Sequence, residues 1–195
     1  MAYRDFTLKK ALDDFGLTLV EADFTDTPES AVSQEIQNLL REYRPLAVAI
    51  DTEKARSEFL IAPILAEARR QAGHRFSLFS GVTFAVDPKR GLTGVCDYLL
   101  SLSPEQQFVR APVFAIVEAK NDNLKRGLGQ CVAEMVAAQV FNEREGRAQT
   151  IYGSVTSGTL WRFLKLEGKQ VTLEEKEHYL DQLAGILGIL TAWAN

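Results

Sequence analysis

The stretch VFAIVEAKND, residues 113–122, decides the fold of this 195-residue chain. Residues 113–117 are apolar without interruption, so a strand built from them is apolar on both faces, which is typical of a central, buried strand. Glu118 and Lys120 follow with one residue between them and share one face at the end of that strand. The run predicts a strand over 113–120 whose charged end either reaches water or forms half of an active site.

A second charged residue lies inside an apolar strand pattern. Residues 92–102, LTGVCDYLLSL, alternate as a strand does, and Asp97 has apolar neighbours on both faces. A carboxylate in such a position is costly unless it is paired or binds a metal ion. Asp97 is therefore a candidate partner for Glu118 on the neighbouring predicted strand.

Two predicted helices also bring polar side chains to apolar boundaries. In the helix predicted over 51–73, Glu58 begins a stripe of apolar residues at helical spacing, which places it at the edge of the core rather than on the solvent side. In the helix predicted over 123–142, Gln130 and Glu134 lie one turn apart, and both faces of the helix carry apolar residues. We therefore expect Gln130 and Glu134 to be enclosed.

The order of the predicted elements indicates an α/β fold. Three consecutive strands after a helix favour an antiparallel meander, and the helix that follows them permits a parallel crossover. We expect a mixed central sheet flanked by helices, with residues 51–195 as the main domain and residues 1–50 as a helical and mixed extension packed on it. Pro63 is expected to loosen the first helix of the main domain. The other predicted elements are a helix at 30–43, strands at 45–50, 75–87, 150–156 and 159–168, and a C-terminal helix from residue 174.

Composition narrows the class of protein. No apolar run reaches the roughly 18 residues of a membrane span, and the N-terminal residues lack the apolar core of a signal peptide, so we expect a soluble cytoplasmic protein with no membrane partner. Cys96 and Cys131 have no metal-ligand spacing and are interpreted as buried thiols. The net charge of −4 gives no general attraction to nucleic acid, but an acidic body can still carry a local basic groove.

The segments GVCDYLL (94–100) and IVEAK (116–120) together resemble the signature of the PD-(D/E)xK nuclease superfamily. That signature is an Asp on one strand and a Glu/Asp-x-Lys on the next. The predicted order of elements over about residues 52–156 is similar to that family's αβββαβ core, so the resemblance implies a restriction-endonuclease-like fold. The usual proline before the Asp is absent, and Glu134 stands where a tyrosine often follows the family's glutamine.

The resemblance implies a role for each candidate residue. Asp97 and Glu118 would be ligands of Mg²⁺ or Mn²⁺, and Lys120 would activate or orient the attacking water. The carbonyl of Ala119 would supply a further ligand. Glu58 matches an acid that many members carry on the first core helix, and would complete the metal site. Gln130 would position the scissile phosphate or Lys120. Contacts to backbone phosphates would come from Lys125, Arg126 and Asn121.

Three readings follow from these residues. The leading one is a Mg²⁺-dependent nuclease that hydrolyses phosphodiester bonds in nucleic acid, with DNA as the expected substrate. The second is a catalytically inactive module of the same fold that binds nucleic acid or a protein partner. The third treats Glu118 and Lys120 as a structural ion pair, which leaves Asp97 and Glu58 unexplained. The C-terminal helix is either part of the core or the face of a homodimer.

Overall fold

The computed structural model describes residues 1–194 and is built around one mixed sheet. The strand order is β1-β7-β6-β5-β4-β3-β2, with the short β8 paired to β6. The strands are β1 (Thr18–Ala22), β2 (Ser77–Asp87), β3 (Leu92–Ser101), β4 (Val113–Ala119), β5 (Ile151–Thr156), β6 (Leu160–Glu167), β7 (Gln170–Glu174) and β8 (His178–Tyr179). The helices are α1 (Leu8–Phe15), α2 (Gln34–Ile50), α3 (Glu53–Arg56), α4 (Ala62–Gln71), α5 (Leu124–Arg144) and α6 (Leu183–Ala192).

The predicted α/β class and mixed sheet are confirmed. Strands β2, β3 and β4 form an antiparallel meander, and α5 then returns the chain so that β5 pairs in parallel with β4. Strands β5, β6 and β7 continue antiparallel, and β1 joins β7 in parallel. All seven residues of β4 are buried, as expected for a central strand.

Two apolar layers cover the sheet. One contains the buried side of α5 together with α1, and the other contains residues of α2, α4 and α6. Regular alternation along 113–120 predicts that Phe114 and Ile116 share one face and Val113 lies on the other. This is wrong at the start of β4, because Val113 and Ile116 lie in the α5 layer while Phe114 lies in the opposite one. The register between β3 and β4 shifts at Leu100 and Ser101, opposite this point, so the faces exchange before Ile116.

The C-terminal helix is part of the core. Residues Ile186 and Leu190 of α6 are fully buried in the layer opposite α5. The helix begins at Leu183 rather than at residue 174, because Glu174 ends β7, His178–Tyr179 pair with β6 as β8, and Leu180–Gln182 form a 3₁₀ turn. A homodimer stays a prediction. Within residues 1–194, no helix is both long and apolar enough to cross a membrane.

One further prediction is wrong, and one strand is missing from the predictions. Residues 45–50 are the C-terminal end of α2 and not a strand, and Pro45 lies within that helix. The apolar side chains that suggested a buried strand, Leu46, Val48 and Ile50, are 44–47% exposed, so their apolarity does not report burial. Strand β1 was not predicted, because its residues gain a partner only from β7 at the far end of the chain.

Pro63 loosens its helix as predicted. Residues Ser57–Ile61, directly before it, form a π-turn between α3 and α4, in which the Ala62 N–H donates to the Ser57 carbonyl. Proline has no N–H for the regular bond one turn back, and a π-turn is one of the ways a helix absorbs such an interruption. The extra residue in this turn rotates Glu58 relative to the apolar residues that follow it.

Gly129 lets the N-terminal residues pack directly on α5. A Cβ atom at this position would lie 2.3 Å from the backbone carbon of Thr7 and 2.4 Å from the carbonyl oxygen of Phe6. Phe6 belongs to the same apolar layer as α5. The helix and the N-terminal extension can therefore approach this closely only because residue 129 has no side chain.

Candidate active site

Asp97 lies where strands β3 and β4 separate. The pairing of the two strands reaches Tyr98 and Val117 and does not extend to Ala119. The Asp97 Oδ2 atom instead accepts a hydrogen bond of 2.8 Å from the Ala119 N–H. The side chain of Asp97 thus takes the place of a backbone acceptor at the end of β4, which fixes the position of its carboxylate.

Lys120 lies against two carboxylates. Its Nζ atom is 2.5 Å from Oε1 of Glu118 and 3.7 Å from Oε2 of Glu53. Its aliphatic stem lies over Gly127 of α5, where a Cβ would come within 3.1 Å of the Lys120 Cγ and 2.6 Å of Val155. The bare helix surface at Gly127 therefore gives the lysine room to reach Glu118.

Burial raises the pKa of Glu118 to about 8, and the nearby charge of Asp97 adds to the effect. The side chain is 1% exposed, and Lys120 offsets only part of the cost. Burial alone would lower the pKa of Lys120, but the carboxylates of Glu118, Glu53 and Asp97 raise it above its ordinary value. Lys120 is therefore an ammonium group at neutral pH.

One oxygen of Glu118 is left without a partner. Its Oε2 atom is buried and accepts no hydrogen bond from residues 1–194. A buried polar oxygen without a hydrogen-bond partner costs free energy comparable to a lost hydrogen bond. The carboxylate is thus arranged to accept a further positively charged or hydrogen-bonding group.

Glu134 is a second buried carboxyl group, enclosed as the sequence predicted. It is fully buried on α5, and its Oε1 accepts a 3.0 Å hydrogen bond from Nε2 of Gln130. Its Oε2 has no partner among the described residues. Burial, followed by the charge of Glu118, raises its pKa well above the ordinary value.

The thiols of Cys96 and Cys131 are buried too, as predicted, and burial raises both pKa values, so they remain neutral.

Glu58 is more exposed than its sequence position predicted. Its side chain is 53% exposed and pairs with Lys54 at 2.6 Å. The expectation that it avoids the solvent side is therefore wrong, and the π-turn over Ser57–Ile61 breaks the regular helical spacing on which that expectation rested. It nevertheless lines a cleft of about 310 Å³ together with Asp97 and Ala119.

Glu53 is the site residue that the sequence analysis missed. It lines the same cleft and is the second carboxylate beside Lys120. A signal was present, because Lys54 and Glu58 are spaced i, i+4 on a helix, and that spacing favours an ion pair. Such a pair directs Glu58 toward Lys54 and leaves Glu53 as the acid closer to Lys120.

The predicted three-carboxylate metal set is not assembled. Within residues 1–194, no group of three or more His, Cys, Asp or Glu side chains converges to hold a metal ion. Two carboxylates remain at the end of β4, because Asp97 accepts a hydrogen bond from the Ala119 N–H and Glu118 directly precedes Ala119. Mg²⁺ commonly binds through one or two carboxylates and keeps several waters, so these donors and the partnerless oxygen of Glu118 fit such an ion.

The predicted phosphate-binding residues lie at the start of α5. Lys125 and Arg126 are exposed in its first turn, and Asn121 lies in the loop that follows Lys120. Asn123 caps the helix, and its side chain accepts a hydrogen bond from the Lys125 N–H. The positive end of the helix dipole adds to these charges, so this side of the site favours anions.

Comparison with known proteins identifies no relative. No protein-family model, no curated protein and no solved structure matches this chain. The grouping that needs an explanation is Asp97, Glu118 and Lys120 at the end of one buried strand.

Replacing Glu134 with glutamine is expected to stabilise the metal-free protein at high pH. Folding raises the pKa of Glu134. The free energy of unfolding of the natural protein is therefore highest below the unfolded pKa of about 4.3, and it falls as the pH rises toward the folded pKa. The Glu134→Gln variant cannot ionise there and should gain about 1–3 kcal/mol at pH 8 but little at pH 5. Urea unfolding at both pH values in EDTA measures the difference. The exposed Glu145→Gln is the control, and an equal Glu134→Gln effect at both pH values would contradict this account.

Proposed function

We propose that this protein is a metal-dependent nuclease that hydrolyses phosphodiester bonds in DNA with Mg²⁺ or Mn²⁺. The observation that carries the proposal is the meeting of Asp97, Glu118 and Lys120 at the end of β4. The order of helix, three antiparallel strands, helix and parallel strand supports it, because the PD-(D/E)xK resemblance implies the same order.

A purely structural ion pair explains less of the site. Lys120 satisfies one oxygen of Glu118 and leaves the other buried without a partner. A buried pair is also weak evidence for stability, since the cost of desolvation often exceeds the gain from pairing. Burial, followed by the charge of Asp97, raises the pKa of Glu118 despite its contact with Lys120, so the pair does not compensate the cost of enclosing this carboxyl group.

Asp97, Glu118 and the carbonyl of Ala119 would hold the cation, which when bound polarises the phosphate as a Lewis acid. Lys120 is charged at neutral pH, so its role is to orient the attacking water and to offset the negative charge that develops on the phosphate. It is not the general base, because an ammonium group has no lone pair with which to accept a proton. Its contact with Glu118 fixes the position from which it acts.

The remaining residues of the site contact the substrate or support the metal site in this proposal. Lys125, Arg126 and Asn121 contact backbone phosphates at the start of α5, which positions the strand without reading its sequence. Glu58 and Glu53 line the open side of the cleft and act through water molecules rather than as direct ligands. Gln130 is held by Glu134 and stabilises the buried side of the site.

Metal binding and cleavage together test the proposal. Calorimetry should show Mg²⁺ binding to the natural protein and at least tenfold weaker binding to Asp97→Asn, which keeps the side-chain shape but removes a charge. Labelled DNA should be cut with Mg²⁺ or Mn²⁺ and not with EDTA. Absence of both binding and cleavage would contradict the nuclease and favour the inactive module, which binds nucleic acid or a protein without cutting.

A further inference from the structure

A second cavity lies at the start of α5, the helix that follows Lys120 in the chain. It has a volume of about 380 Å³ and lies between the first two turns of α5 and strand β6. Its lining begins two residues after Lys120 in the chain. The volume is at the lower end of the range for ligand pockets, about 300–1,000 Å³, so it suits one small flat group.

The cavity combines apolar walls with charged groups of both signs, the cations Lys125 and Arg162 and the acids Asp122 and Glu177. Leu124, Leu128 and Leu160 form the apolar part, and Arg162 projects from β6. Such a lining favours a planar, largely apolar ring, because leucine side chains pack on its face while a guanidinium group stacks on it or bonds to its edge. Lys125 also lines the cavity and is exposed, so it can meet a phosphate at the entrance.

Arg162 has donor capacity to spare. Its Nε atom is buried and has no hydrogen-bond partner among residues 1–194. Its other contacts are long, at 3.4 Å to the Glu177 carboxylate and 3.5 Å to the Glu174 carbonyl. The guanidinium group is therefore weakly held, and a ligand with acceptor atoms can compete for its terminal N–H groups.

We propose that this cavity takes one unpaired base of the strand whose phosphate lies at Asp97, Glu118 and Lys120, an inference that rests on the proposed function. A base inside a duplex is paired and stacked on both faces, so it cannot enter such a slot. An unpaired base offers its face to the leucines and its edge acceptors to Arg162. The preferred substrate is therefore a single strand, or a duplex with a frayed end.

Fluorescence anisotropy with labelled oligonucleotides of about 12 nucleotides tests the inference. Single-stranded DNA, single-stranded RNA and duplex DNA are compared with Ca²⁺ in place of Mg²⁺, so that cleavage does not interfere. The natural protein should bind single strands about tenfold more tightly than duplex. Arg162→Gln and the cavity-filling Leu160→Trp should each lose about tenfold in single-strand affinity and little in duplex affinity. The exposed Arg147→Gln, with the same charge change at the other end of α5, should bind as the natural protein does.

The outcomes separate this inference from the nuclease proposal. Equal affinity for single strand and duplex, or single-strand binding that Arg162→Gln leaves unchanged, overturns the base-binding cavity even when Mg²⁺-dependent cleavage is present. Single-strand binding that depends on Arg162, without cleavage of any substrate, supports the cavity and contradicts the nuclease. The DNA and RNA arms show whether the sugar matters. Thermal melting checks each variant, and if Leu160→Trp does not fold, Arg162→Gln decides alone.

Discussion

Replacing Lys120 with alanine is expected to lower the rate of Mg²⁺-dependent DNA cleavage by about 100-fold or more without weakening Mg²⁺ binding. Lys120 supplies the positive charge nearest Glu118, but it donates no lone pair to a metal ion. Its loss therefore removes stabilisation of the developing charge and leaves the carboxylate ligands in place. Single-turnover cleavage of labelled DNA measures the rate, and calorimetry measures the Mg²⁺ affinity of the same samples.

Lys54→Ala is the matched control for this experiment. Lys54 lines the same cleft, but its side chain is 81% exposed and pairs with Glu58 rather than Glu118. Its removal should change the cleavage rate less than about threefold, because an exposed ion pair contributes little. Cleavage by Lys120→Ala at the natural rate would show that the assigned site is not where the reaction occurs.

Replacing Gly129 with alanine is expected to lower the free energy of unfolding by about 2–3 kcal/mol. The added Cβ would meet backbone atoms of Phe6 and Thr7 at 2.3–2.4 Å, and backbone cannot rotate away as a flexible side chain does. The higher helix propensity of alanine, about 1 kcal/mol, offsets part of the loss. Urea unfolding followed by circular dichroism measures the change.

Gly185→Ala provides the comparison within the same chain. Gly185 is also helical, in α6, but a Cβ there would meet no atom within 4 Å. It should therefore show the propensity gain without the clash, and stabilise the protein by about 0.5–1 kcal/mol. If Gly129→Ala behaved in the same way, the close packing of the N-terminal residues on α5 would be wrong.

The elements of the fold that rest on local patterns could be predicted from the sequence. The buried strand at 113–119 and the helix that follows it carry periodic apolar residues, and those patterns identify them without tertiary information. Strand β1 could not be found, because its side chains are mostly exposed and only its pairing with β7 makes it a strand. Residues 45–50 were misread because an apolar run does not distinguish an exposed helix from a buried strand.

Some residues of the candidate site could likewise be predicted from the sequence, and others could not. Asp97, Glu118 and Glu134 could be found because charged residues inside apolar patterns are visible in the sequence. The exposure of Glu58 could not be predicted, since it depends on the π-turn that Pro63 accompanies. Arg162 lies more than 40 positions after Lys120 in the printed sequence, so only the packing of α5 against the sheet brings it into one cavity with residues at the start of α5.

The hydrogen bond between Asp97 and the Ala119 amide makes one backbone proton a reporter of the site. That proton points at the carboxylate proposed to hold the cation, so any change in charge on Asp97 alters its magnetic environment and its rate of exchange with solvent. A single amide resonance in a nitrogen–proton correlation spectrum can thus follow occupation of the site by ions that have no colour, no fluorescence and no redox chemistry. This reporter exists because β3 and β4 are not paired at Ala119, which leaves its N–H to bond to the Asp97 carboxylate.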